Sequence, residues 1–241
     1  MIRLFFVRHA QASFLAENYD RLSPLGEKQA QLLGEFWARH KMIFSRVCVG
    51  PRVRHADTCR IVAEAYQRAG LIFPTPTQVP EFDEYAGEAV LKQGVPHLIE
   101  HESEIRDLYH AYETCSEPGD KNLAFQRLFE AVITIWVNGE LPLAGVEPWG
   151  AFCARVEHGL TSFLAAGATS TAEHVAIFAS AGPTAVAVER ALELGAIKTV
   201  QLSWMVRNCS YSEFVYGGDK FALSTFNTVP HLDDETLRTF R

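Results

Sequence analysis

The chain has 241 residues, 48% of them hydrophobic and 21% charged, with a net charge of −7. That length suffices to bury one α/β core with room for an inserted subdomain, and the composition is ordinary for a globular protein. The acidic balance argues against nucleic acid or an anionic membrane surface as partner, so any anion site must concentrate its arginines locally.

Residues 2–7 form an apolar run with the length of a buried parallel strand. Arg8-His9-Ala10-Gln11 follow it, at the strand end where open α/β sheets bind ligands. Arg8 offers an oxyanion a permanent planar fork. His9 offers a ring nitrogen that is substantially unprotonated at neutral pH and can act as a nucleophile. Gln11 and Ser13 add polar groups to the same loop. The opening run is short and is followed at once by Arg8-His9, so no secretory leader is expected.

Ser23-Pro24 reads as a helix start, serine at the N-cap and proline at N1. Leu25, Ala30, Leu33, Phe36 and Trp37 follow near helical spacing. Residues 47–49 make a short strand closed by Gly50-Pro51, and a helix is predicted over about 53–68. The order β-α-β-α predicts a parallel sheet with covering helices. Adjacent strand ends in such a sheet would set the second arginine cluster, Arg52-Val53-Arg54-His55 with Thr58 one turn on, beside the first. Arg54 would then face Arg8, hold a phosphate bidentately and be helped by the N–H groups of its helix start.

Residues 79–85 place carboxylates beside apolar residues on a loop. A partly desolvated carboxyl there has its pKa raised towards general-acid use. From about 96 to 139 the pattern is helical without strands. Ile99, Ile105, Leu108 and Tyr112 predict one helix; Leu123, Leu128, Phe129, Val132, Ile135 and Trp136 predict another. Residues 88–143 are therefore read as a helical insertion within a single domain spanning 1–241.

The α/β rhythm resumes at Glu147. A helix carries Trp149, Phe152, Val156, Leu160, Phe163 and Leu164. Residues 174–179 form a buried strand, and Pro183 starts a helix to about 194. The small-residue turn Ser180-Ala181-Gly182 allows close backbone approach to an anion. Segments 201–204, 211–216 and 221–226 read as β-rich, with Gly217-Gly218-Asp219 as a turn. That predicts a hairpin on the sheet edge, a mixed sheet and a three-layer α/β/α sandwich. No stretch approaches the roughly 18 apolar residues of a membrane span. The five cysteines are odd in number and scattered, without a C-x-x-C pair, which predicts reduced thiols in a cytoplasmic protein. There is no H-x-H, H-E-x-x-H, P-loop or G-x-G-x-x-G, so neither a metal nor a cofactor is expected.

Several of these segments together resemble the histidine phosphatase superfamily, the phosphoglycerate-mutase-like or RHG family. They are Arg8-His9-Ala10-Gln11, the helix start Leu22-Ser23-Pro24-Leu25-Gly26-Glu27-Lys28-Gln29-Ala30, Pro51-x-x-Arg54-x-x-x-Thr58, and the Glu84 segment. Ser180-Ala181-Gly182-Pro183, Asn208-Cys209-Ser210 and Asn227-Thr228-Val229-Pro230-His231-Leu232 complete the match. It runs in order along nearly the whole chain, apart from about 88–143. The resemblance implies a phosphoglycerate-mutase-like fold with His9 as the phosphate-accepting nucleophile. Arg8 and Arg54 would clamp the phosphate with help from Gln11 and Ser180. Glu84 would donate the proton to the leaving oxygen, since Phe82-Asp83-Glu84 resembles the family's L-N-E; Glu81 is the alternative.

Two departures stand out. Ala10 replaces a glycine, and its Cβ would crowd the loop if φ were positive there. Ser180 stands where the family has its second histidine, and His174, at the other end of that strand, is about 20 Å away at 3.3 Å per residue. Losing one charge-assisted donor to a phosphoryl group costs about 10² to 10³ in rate. The expected activity is therefore weak or specialised phosphomonoester hydrolysis through a phosphohistidine on His9. A non-catalytic module holding a phosphorylated ligand is the alternative, and a phosphoglycerate mutase is less favoured than either. The expected partner is a small phosphorylated substrate or a phosphoprotein, and phosphate or sulfate would occupy the site.

Overall fold

The central strand of the computed structural model, which describes residues 1–13, 20–165, 173–218 and 220–240, is β1 (Ile2–Arg8). Its side chains alternate between two cores. Leu4 and Phe6 join one, Phe5 and Val7 the other, and all four are buried. The pleat sends successive residues to opposite faces, so the consecutive apolar residues Leu4 to Val7 must be covered on both. β4 (Glu173–Ala179) repeats the pattern, with Val175 and Ile177 on one face and Ala176 and Phe178 on the other.

The six-stranded sheet has the order β3-β2-β4-β1-β5-β6, with β2 Arg46–Val49, β3 Thr77–Gln78, β5 Tyr211–Gly217 and β6 Lys220–Thr228. β1, β2, β3 and β4 run parallel; β5 and β6 are antiparallel additions on the far side of β1. The mixed sheet and its edge hairpin agree with the sequence expectation. β1 and β2 are not neighbours, however, because β4 lies between them. Local patterning cannot show this: β4 is separated from β2 by more than a hundred residues and pairs with both.

Helices α1 (Pro24–Arg39) and α2 (Val53–Arg68) cover one face through Leu33, Trp37, Val62 and Tyr66. On the other face lie α6 (Trp149–Ala165), α7 (Ala181–Leu192) and α8 (Ala196–Met205). Between the first and second groups the chain runs through α3 (Gly87–His101), α4 (Ser103–Thr114) and α5 (Pro118–Val137), whose buried Val90, Leu98, Ile105, Val132 and Trp136 extend the second core. The result is a three-layer α/β/α arrangement. No described helix is long and apolar enough to cross a membrane.

Four local readings are corrected. Ile99 belongs to α3, whereas Ile105, Leu108 and Tyr112 belong to α4, because Glu102 takes an extended conformation (φ −112°, ψ 112°) and breaks the helix. One extended residue hardly disturbs the apolar spacing, so the sequence reads through it. α3 also begins at Gly87 and carries Pro96 internally. Segment 201–204 is helical in α8: Thr199, Val200 and Ser203 are its buried residues, an i, i+1, i+4 face rather than an alternation. α7 begins at Ala181, so Pro183 lies within its first turn. Of the predicted turn, Asp219 lies outside the described residues.

Ser23 is the N-cap of α1 as expected, and Pro24 occupies N1. Its Oγ accepts from Gly26 N at 3.0 Å and donates to Gln11 Oε1 at 2.7 Å. Ser23→Ala is therefore expected to lower stability by about 1 kcal/mol, read from the urea midpoint at constant m-value.

Candidate active site

The sheet's carboxyl edge brings four chain segments together. The first is the loop leaving β1. His9 N donates to Ala179 O at 2.8 Å, and Cys209 N donates to the carbonyls of Arg8 and His9 at 3.1 and 3.2 Å. Cys209 reaches both by adopting a left-handed conformation (φ 58°). The His9 ring is buried, with Nδ1 2.7 Å from the Ala10 carbonyl. A carbonyl only accepts, so Nδ1 carries the hydrogen and Nε2 keeps its lone pair. Burial, then the positive charges of Arg54 and Arg8, hold the ring well below the ordinary imidazole value. Ala10 is not among the residues with positive φ, so its buried methyl causes no backbone strain and the expected crowding does not arise. Its N–H donates to Thr58 Oγ1 at 3.1 Å, and Thr58 in turn donates to Arg54 O at 2.7 Å. Thr58 thus ties the His9 loop to the first turn of α2.

That first turn is the second segment. Arg54 is buried and donates through Nη1 to Asp20 Oδ1 at 2.8 Å. Asp20 Oδ2 accepts from Val53 N at 2.9 Å, so one carboxylate both orients the guanidinium and caps α2. Arg8 reaches the other way and donates through Nη1 to Val206 O. The Gln11 side chain is held by Ser23, and its backbone N–H donates to Gln29 Oε1 at 2.9 Å. Gln29 also donates to Leu237 O at 2.7 Å, which fastens the C-terminal segment to the same loop.

The third segment carries the carboxylates. Residues 80–82 form one 3-10 turn. Arg155 of α6 donates to Glu81 O at 2.7 Å and Asp83 O at 3.3 Å, and is itself held by both carboxylate oxygens of Glu147. Asp83 pairs with Arg52 and accepts from Glu84 N. Fixed in this way, the Glu84 carboxylate accepts from Tyr85 N at 3.0 Å and from Gly182 N at 3.1 Å. Burial raises its pKa; the two N–H groups, Arg54 and Arg8 oppose that shift. Glu81 lies elsewhere: its Cβ would be 2.5 Å from a Cβ placed on Gly159 of α6. Of the two carboxylates left open by the sequence, Glu84 is the one brought to the arginines.

The fourth segment is the end of β4. Ser180 is buried, and its Oγ is 2.7 Å from His55 Nε2. His55 is fully buried, and its ring centroid is 5.7 Å from that of His9, the planes inclined at 39°. Burial, Arg54 and Arg52 hold it well below the usual imidazole value. His174 stays at the far end of β4, against Phe5 and Phe44. Sequence reasoning therefore missed a second imidazole in the site. Its only local signal was a histidine next to Arg54 in a helix's first turn. What places it against Ser180 is the strand order β2-β4-β1. Among the described residues, no group of His, Cys, Asp and Glu could hold a metal ion.

No family model matches the chain, and no curated protein matches it in sequence. Solved structures do. A phosphoglycerate mutase from Bacillus anthracis superposes with a TM-score of 0.62 at 15% identity, over 96% of this chain and 95% of that one. The alpha-ribazole phosphatase from Shigella flexneri gives 0.59 at 17%, over 94% and 96%. A mycobacterial glucosyl-3-phosphoglycerate phosphatase, solved with inorganic phosphate, gives 0.58 at 19%, over 95% and 98%. The chain shares the phosphoglycerate-mutase-like fold of these proteins over 94–96% of its length.

Proposed function

We propose that the protein hydrolyses small phosphomonoesters through a phosphohistidine on His9. The observation that carries this reading is the convergence of an unprotonated His9 Nε2 with Arg8, Arg54 and a Glu84 carboxyl of raised pKa at one sheet edge. In the first step the Nε2 lone pair attacks phosphorus and the P–O bond to the leaving group breaks. The Glu84 proton goes to the departing oxygen. In the second step water attacks phosphorus, the P–N bond breaks, and the Glu84 carboxylate takes the proton from that water. Phosphate leaves and the starting protonation is restored. Arg8 and Arg54 neutralise the charge on the transferring group, so catalysis rests on positioning and electrostatics.

The structural neighbours are named for phosphorylated small molecules, and one was solved with inorganic phosphate. Substrate choice is assigned to the inserted helices within 88–143. The chain is read as one cytoplasmic catalytic domain.

The test is rapid quenching of the protein with a 32P-labelled aryl phosphate, followed by peptide mapping. Acid-labile, base-stable label is expected on the peptide holding His9 and absent from His9→Ala. Absence of both label and phosphate release above that variant would overturn the reading. Tight phosphate binding without turnover would instead identify a phospho-ligand-binding module.

A further inference from the structure

The mechanism above leaves two buried polar residues unused. Ser180 directly follows β4, the strand between β1 and β2, so it is flanked by the His9 loop on one side and the start of α2 on the other. His55 enters from α2, 2.7 Å from Ser180 Oγ and 5.7 Å, centroid to centroid, from the His9 ring. Keeping an imidazole there is costly. It is fully desolvated and close to two guanidiniums, where an apolar side chain of similar size would pack without penalty. The backbone also makes room for it: a Cβ on Gly50 would stand 2.4 Å from His55 Nδ1 and 2.8 Å from Phe82 O. A costly polar group in a made-to-fit space beside a nucleophile is a candidate for function.

A phosphoryl group on its way to His9 Nε2 carries its charge spread over three equatorial oxygens, each of which can accept a hydrogen bond. We propose that Ser180 and His55 form a two-residue donor to that group. His55 Nδ1 is buried without a hydrogen-bond partner, so the neutral ring keeps its hydrogen on Nε2, which donates to Ser180 Oγ; the Ser180 hydroxyl, thereby aligned, donates to a phosphoryl oxygen. Ser180 is the catalytic residue and His55 its positioning residue. The proposal rests on the phosphatase reading of the site.

The experiment measures kcat and KM for an aryl phosphate, together with vanadate affinity, in folded variants checked by circular dichroism. Ser180→Ala and His55→Phe are each expected to lower kcat about 100-fold, with KM changed less than about threefold. Because the two act as one unit, combining them should cost no more than either alone. His55→Ala vacates the space next to position 180, so adding Ser180→His should restore kcat at least tenfold over His55→Ala. A merely structural His55 would not give that rescue.

Wild-type kcat in Ser180→Ala, multiplicative losses in the combined variant, or no rescue would overturn the proposal. If His55→Phe fails to fold, Ser180→Ala and the rescue pair still decide. A wild-type protein that binds vanadate without turnover overturns the phosphatase reading alone, provided that Ser180→Ala weakens vanadate at least tenfold. One that neither turns over nor binds vanadate overturns both.

Discussion

Gly182→Ala is expected to lower kcat for alkyl phosphates by at least about 100-fold, the scale of a lost general acid. Gly182 lies in the first turn of α7, and its N–H holds the Glu84 carboxylate at 3.1 Å. A Cβ there would stand 2.0 Å from Glu84 Oε1 and 3.0 Å from both Phe152 Cζ and Tyr85 Cδ1. The carboxylate end could swing away cheaply in open space. Here Tyr85 and Phe152 close that route, since both rings are packed with Trp149. Glu84 must therefore leave the site, and the proton donor leaves with it. Two controls separate this from general damage. Aryl phosphates with a good leaving group should lose much less rate than alkyl phosphates, because they need little protonation. Glu84→Gln added to Gly182→Ala should cost nothing further. Equal losses on both substrate types would refute the assignment of Glu84 as the acid.

Acid should destabilise the fold steeply, by about 3–4 kcal/mol per pH unit once the pH is below about 5.5. Three buried imidazoles, His9, His55 and His231, are held below the ordinary value, His231 at about 3. The leading cause in each is desolvation. In the unfolded chain each takes up a proton near pH 6.5. Below that pH the unfolded state binds more protons, so stability is lost as pH falls, at up to about 1.4 kcal/mol per unit for each ring. Glu84 works in the opposite sense, since its raised pKa makes the fold hold a proton longer, and this trims the total. Urea midpoints between about pH 5.5 and 4.5, where the unfolded imidazoles are almost fully protonated, measure the slope. His231→Phe, a ring of similar shape beside Phe36, should reduce it by about 1.4 kcal/mol per unit. A flat profile would show that these rings are protonated in the fold.

What could be read in the sequence was what is local. The apolar run of β1, the Ser23-Pro24 start and the Arg8-His9 pair each carry their physical cause within a few residues. The bounds predicted for α2 match as well, because its apolar face and its flanking Gly50-Pro51 are contiguous. What escaped was set by distant partners. Nothing near Gln201 shows that Val200 and Ser203 share one buried helix face. The choice between Glu81 and Glu84 is made by α6 and α7, the first packing against one and the second donating to the other. His55 was legible as a residue type and illegible as a neighbour, since its partner is 125 positions away on a strand whose place in the sheet had not been specified.

The order of strands also has a kinetic consequence. β1 hydrogen-bonds to β4 across about 170 residues, and β4 must slot between β1 and β2 before the imidazoles and guanidiniums meet. Chains dominated by such distant pairings pass slowly to the native state, because loop closure is disfavoured before the contacts reward it. No partly assembled sheet holds the four segments at once. Recovery of turnover after dilution from denaturant would therefore trail the return of helical signal, and reports the last event of folding rather than the first.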